Sequence, residues 1–200
     1  MSNYEYIIAG LPVLQRTADG IPAGFDAEEL IAGIRSALEG KDAAGLDLLL
    51  QGFDPDSLNA DFYAAALKNR SDFIRKYFEY DLLVRNTRTV WLNRSLGRDE
   101  LTDTVTLPGM EDPDPFEVQA INEVLSRSDI LERERELDTL MWNRIEEINV
   151  MKVFDLDVIL GFTACLKIVD RWLKLDPETG RGLFRKLVEE IRSSRTKTTE

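Results

Sequence analysis

The side chains with chemical capacity fall into four short stretches. Asp81, Arg85 and Asn86 stand within an aromatic segment that also carries Tyr77, Phe78 and Tyr80. Trp142, Asn143, Arg144, Glu146 and Glu147 mix aromatic and polar groups within a turn and a half of helix. Asp155 and Asp157 follow, and Asp170-Arg171-Trp172 closes the set. Two carboxylate pairs, Glu146-Glu147 and Asp155/Asp157, make the best all-oxygen metal candidate. Helical di-metal sites normally add histidine from Glu-x-x-His pairs, however. The chain has no histidine, which removes the commonest metal ligand and general base. The one cysteine, Cys165, lies in the most apolar segment, where burial disfavours a thiolate. No phosphate-binding glycine loop or paired cysteine is present. The reading is therefore non-enzymatic, with no cofactor. Asp81, Arg85, Asn86, Arg144, Glu147, Asp170, Arg171 and Trp172 are candidates for structural or interaction roles.

Helices must position these groups. Leu137, Met141, Ile145 and Ile148 recur at helical spacing, and Val158 to Leu166 is apolar almost all round, as in the central helix of a bundle. Asp155 stands where an N-cap belongs between the two. Upstream, Ser71 caps a long helix running to about Leu96 and stopped by Gly97. Its face carries Phe73, Tyr77, Val84 and Trp91, with Phe78, Leu82 and Leu92 beside it. Asp81 and Arg85, four apart with the acid first, form a favourable helical pair. Either the pair is solvated, or it is buried at a helix crossing where it fixes register; the surrounding bulk favours the second.

Before that helix, Asp26 and Glu29 suggest a capping box with Gly40 at the helix's C′ position. Asp42 caps a helix over 43–53, and a weaker one covers 58–69. Residues 4–12 admit strand or helix. Phe116 to Leu125 is a short helix. Asp176-Pro177-Glu178 opens a last one with Leu183, Phe184, Leu187, Val188 and Ile191 inward. The fold class is all-α, a bundle of about seven to eight helices in two coupled lobes. Residues 1–97 form the first lobe, 98–115 an acidic flexible connector, 116–193 the second, and 194–200 a frayed tail.

The 200 residues carry a net charge of −12, which argues against a nucleic-acid partner. Residues 98–130 hold 9 acidic and 2 basic residues, so the acidity concentrates there and suits a linker or a basic partner. The apolar runs are far short of the ~20 residues a membrane span needs. Ile7 to Leu14 lacks a signal peptide's basic start, so the expected location is cytoplasmic.

Taken together, Tyr4-x-Tyr-x-x-Ala-Gly-Leu-Pro, Tyr77-Phe-Glu-Tyr-Asp-Leu-x-Val-Arg-Asn86, Trp142-Asn-x-x-Glu-Glu147, Phe154-Asp-Leu-Asp-x-Ile-Leu and Asp170-Arg-Trp172 resemble a Bacteroidetes-type bacterial family of unassigned function that accompanies V/A-type ATPase subunits. More remotely, the chain is similar to the funnel subunit of those rotary ATPases (named C, or d), an all-helical body seated on the membrane rotor ring and carrying the central stalk. Asp81, Arg85 and Asn86 answer one recurring motif of that funnel, and Asp157 to Phe162 through Asp170-Arg171 answer another. Val84 departs from the pattern, as does Asp170, where Glu is usual, and the length suits two lobes rather than three. The resemblance implies a non-catalytic coupling subunit with the central stalk and rotor ring as partners, peripheral to the inner membrane through the complex. The alternative is a helical adaptor or regulatory domain unrelated to the ATPase.

Overall fold

The computed structural model describes residues 4–16 and 25–175. The helix expected from Asp176, its inward residues Leu183 to Ile191 and the 194–200 tail lie outside the described residues. Among the described residues the chain is all-α. The helices are α1 (Tyr4–Ala9), α2 (Ala27–Ser36), α3 (Gly40–Gln51), α4 (Ala60–Leu67), α5 (Asp72–Ser95), α6 (Pro115–Leu125), α7 (Ile130–Asn149) and α8 (Leu156–Lys174). The open choice at residues 4–12 resolves as helix over Tyr4–Ala9, with turn and irregular backbone over 10–12.

Side chains start most of these helices by accepting the free N–H groups of a first turn. Asp26 accepts from Glu28 and Glu29, Asn59 from Phe62, Ser71 from Ile74, Asp114 from Phe116, Asp129 from Glu132 and Asp155 from Val158. Two expectations about α2 and α3 are corrected. Ala37 is the C-cap of α2, and Gly40 instead opens α3 with a φ of +53°. Asp42 lies inside the first turn of α3, where it accepts a 2.7 Å hydrogen bond from the Tyr4 hydroxyl. The capping position belongs to Glu39, which makes no side-chain cap bond.

α5 ends as its sequence predicts. Gly97 takes a φ of +65°, its N–H donates to the Arg94 carbonyl, and the Arg98 N–H donates to the Asn93 carbonyl at 2.9 Å. This is the Schellman arrangement, which needs a left-handed residue that glycine supplies without strain. Leu92, expected beside the inner face, is exposed instead.

α5 packs on α4, α6, α7 and α8, which makes it as central as α8. Phe73, Ile74 and Phe78 of α5 and Ile159, Leu160 and Leu166 of α8 are fully buried. One core cluster joins Leu46 and Phe62 of the first half to Ile121, Ile145 and Ile159 of the second, so the core does not divide at the expected connector. That stretch is held against α5. The Asn86 amide donates to the Val105 carbonyl at 2.8 Å and accepts from the Val105 N–H at 3.0 Å. Asn93 donates to the Thr102 carbonyl at 2.7 Å, and Leu107 is buried. Asparagine can match a backbone's donor and acceptor together. Two of them therefore convert an acidic, breaker-rich sequence into a strap.

The helices approach closely where α7, α8 and α5 meet. A Cβ on Gly161 would collide with Asn149 Nδ2 and lie 3.2 Å from Ile145 and 3.3 Å from Phe73. Asn149 is fixed in place by donating to the Asp157 carbonyl at 3.0 Å. Gly161→Ala, although it raises helix propensity, is therefore expected to destabilise by about 1–3 kcal/mol, the usual cost of overpacking. Urea unfolding would read this; an unchanged or raised midpoint would show that the α7–α8 contact has slack.

Candidate functional site

The starts of α5 and α8 are tied together. Asp157, in the first turn of α8, accepts from the Ser71 hydroxyl at 2.6 Å and from the Phe73 N–H at 3.3 Å. It also takes the Lys152 ammonium. Asp157 thus caps α5 from another helix, while Asp155 caps its own. Spacing alone marks both as helix-junction acids, and the cross-helix reach is the part that local spacing does not reveal.

Between α5, α7 and α8, with the strap at one edge, lies a cleft of about 550 Å³. Asp81, Arg85 and Asn86 line it from α5, Arg171 from α8. Asp81 is buried. It accepts from the Tyr63 hydroxyl at 2.6 Å and from Arg85 Nε at 2.7 Å. Burial first, then the adjoining Asp81 carboxylate, raises the Tyr63 hydroxyl far above its ordinary range, so it remains a donor. The pair is thus divided in character: the acid is buried while the side chain of Arg85 remains 47% exposed.

On the opposite wall Asp138 of α7 accepts from Arg171 and from Trp172 Nε1, the latter at 2.7 Å. Burial pushes the Asp138 carboxyl up, opposed by Arg171 and by the Trp172 hydrogen bond. Arg135 stacks 5.2 Å from the Trp172 ring centre. Glu134, one turn before Asp138, pairs with Arg88 of α5 at 2.7 Å and with Arg171 at 3.8 Å. Asp170 is buried and pairs with Lys174 at 2.8 Å and Lys167 at 3.9 Å.

The other two candidates lie elsewhere. Arg144 pairs with Glu117 at 3.3 Å and Glu147 at 3.1 Å, with its guanidinium 5.1 Å from the Tyr80 ring centre. It lines a separate cavity of about 490 Å³ bounded by α5, α6 and the strap residues Gly109 to Asp114. Glu147 borders a shallower groove with Phe116.

Sequence reasoning misses Glu134, Asp138, Lys167 and Tyr63 as partners in the cleft. A signal for Asp138 exists. It follows Leu137 and precedes Met141 by three, so it stands on the flank of an apolar stripe, where a carboxylate needs a partner.

The carboxylates considered for metal are dispersed. Glu146 is engaged by Arg16 at 2.5 Å and by Trp142 Nε1 at 2.8 Å, Glu147 by Arg144, and Asp155 and Asp157 by helix caps. Among the described residues, no group of three or more His, Cys, Asp and Glu side chains is placed to hold a metal ion. No helix among them is long and apolar enough to cross a membrane.

Cys165 is buried, and burial pushes its thiol up from an ordinary 9.0 to about 12. Because the folded value is raised, the protonated thiol's contribution to stability is complete below about 9 and lost as pH climbs towards about 12. At pH 9 about half of a solvated thiol is reactive thiolate, whereas Cys165 should resist a disulfide reagent until denaturant is added. Fast labelling of the folded protein would show that the centre of α8 opens to solvent.

The groups in the cleft are thus ion pairs and hydrogen bonds, within α5 for Asp81–Arg85 and between helices for Tyr63–Asp81, Arg88–Glu134 and Arg171–Asp138, an arrangement suited to holding the helices in register and to recognising charge. No curated protein and no solved structure matches the chain. Residues 110–195, which include α6, α7 and α8, match the model of a family described as a protein of unknown function, DUF2764.

Proposed function

We propose that the chain is a non-catalytic coupling subunit of a bacterial V/A-type rotary ATPase, a spacer between central stalk and membrane rotor ring like the funnel of those machines. The observation that supports this best is the cross-bracing of three long helices. Asp157 joins the start of α8 to the start of α5, and Glu134 and Asp138 join α7 to Arg88 and Arg171. A body that transmits torque must resist helix sliding, and ties at separate points along α5 oppose it. The resemblance of Asp81, Arg85 and Asn86, and of Asp157 to Phe162 through Asp170-Arg171, to the funnel's recurring motifs supplies the partner. In this reading the chain is cytoplasmic and attached to the inner membrane through the complex.

The test is co-purification. A tagged chain expressed in its own bacterium should bring down stalk and ring subunits from gently solubilised membranes, and its deletion should uncouple ATP hydrolysis from ion movement. A complex that assembles and pumps normally without the chain would refute the proposal. A helical adaptor unrelated to the ATPase is the second reading. The exposed turn carrying Val150, Met151, Val153 and Phe154 favours it, because clustered exposed apolar residues mark contact surfaces.

A further inference from the structure

The ion pairs of the 550 Å³ cleft share one orientation: in each, the acid is the less exposed member. Side-chain exposure is 13% for Asp81 against 47% for Arg85, 25% for Glu134 against 54% for Arg88, and 15% for Asp138 against 46% for Arg171. In these three pairs the carboxylates lie beneath the more exposed arginines, while Asp103 of the strap is an exposed acid at the cleft's edge. Glu134 is shared between Arg88 and Arg171, and Arg171 is paired with Asp138 as well. A chain of net charge −12 therefore turns a cationic edge outward at this cleft.

We infer that the cleft is the docking site for an acidic segment of a partner protein, whose carboxylates engage the outward guanidinium edges of Arg85, Arg88 and Arg171. Planar guanidinium groups match carboxylates in a two-point fork. Charge on a rim chiefly steers encounter and fixes orientation. Singly charged carboxylates also suit the site better than a polyphosphate or nucleic acid, whose denser negative charge the cleft acids and the net charge of −12 repel more strongly. Lys167, 23% exposed and 3.9 Å from Asp170, lines the same wall and adds a fourth cation. The inference rests on the reading of the chain as a docking subunit, but it is tested separately.

The probe is a fluorescein-labelled Glu-rich peptide, with its Gln-for-Glu counterpart as control, titrated against the full chain by anisotropy. The wild type should bind the acidic peptide alone, and binding should weaken as salt rises. Arg88→Glu and the milder Arg88→Ala should each weaken it, the reversal by about tenfold or more. Arg94→Glu, on the side of α5 that lines the other cavity, should leave it unchanged. Circular dichroism establishes that each variant is folded. Absence of acidic-peptide binding overturns the inference, as does undiminished binding by both Arg88 variants or equal loss in Arg94→Glu. If the peptide result holds while the tagged chain brings down no ATPase subunit, the ATPase proposal fails and the acidic-segment site stands.

Discussion

Replacing Leu160 with alanine is expected to cost about 2–5 kcal/mol, the range for deleting a buried aliphatic side chain and leaving a cavity. Leu160 is fully buried, as are its neighbours Ile159 and Ala164. The space cannot close easily. Gly161 brings α7 and Phe73 of α5 within van der Waals reach on the adjacent side, so a collapse towards Leu160 would separate helices that are otherwise in contact. Interiors packed at crystal density transmit such strain rather than absorb it. Against a typical total of about 5–15 kcal/mol, this one change could leave a large share of molecules unfolded at growth temperature. Urea unfolding at constant temperature would measure it. Phe154→Ala, in the exposed turn before α8, should by contrast change stability by less than about 0.5 kcal/mol. A similar cost for both would mean that the turn is covered by something in solution.

The helices are legible in the sequence because each is announced locally. Asp155, Ser71 and Asp114 carry cap chemistry, Gly97 carries the left-handed stop, and the 137–148 stripe has the helical period. Errors appear where a residue fits two local roles. Gly40 fits a helix stop as well as the left-handed residue that starts the next helix, and Asp42 fits a cap as well as a first-turn acid. The strap escapes a sequence reading for a different reason. Residues 98–115 look disordered by composition, yet what orders them is supplied by Asn86 and Asn93 on α5, outside the window in which composition is read. The cleft is legible only in half. Asp81, Arg85, Asn86 and Arg171 stand out in the sequence, but Tyr63, Glu134 and Asp138 enter the cleft from other helices. Such pairings depend on how the helices cross, which no local spacing records.

Breaking the Asp81–Arg85 pair from its two sides should give unequal losses. Arg85→Ala leaves the Asp81 carboxylate buried, with the Tyr63 hydroxyl still donating to it, and a buried charge that loses its partner is costly. The expected loss is up to about 3 kcal/mol, below the most severe cases because the Tyr63 hydrogen bond survives. Asp81→Ala leaves Arg85, whose side chain is already half exposed and can turn fully into water, so the stranded charge costs little. What is lost is chiefly the charge-assisted hydrogen bond from Tyr63, at about 1–2 kcal/mol. The double variant should therefore recover much of the Arg85→Ala loss, because it removes the group left without a partner. A surface pair would behave differently: both single losses would fall below about 1 kcal/mol and fade with added salt. Unfolding of the two single variants and the double variant in urea, at low and high salt, distinguishes the cases. Equal small losses would mean that Asp81 reaches water in solution, and the cleft floor would then no longer be the buried acidic layer that sets its cations outward.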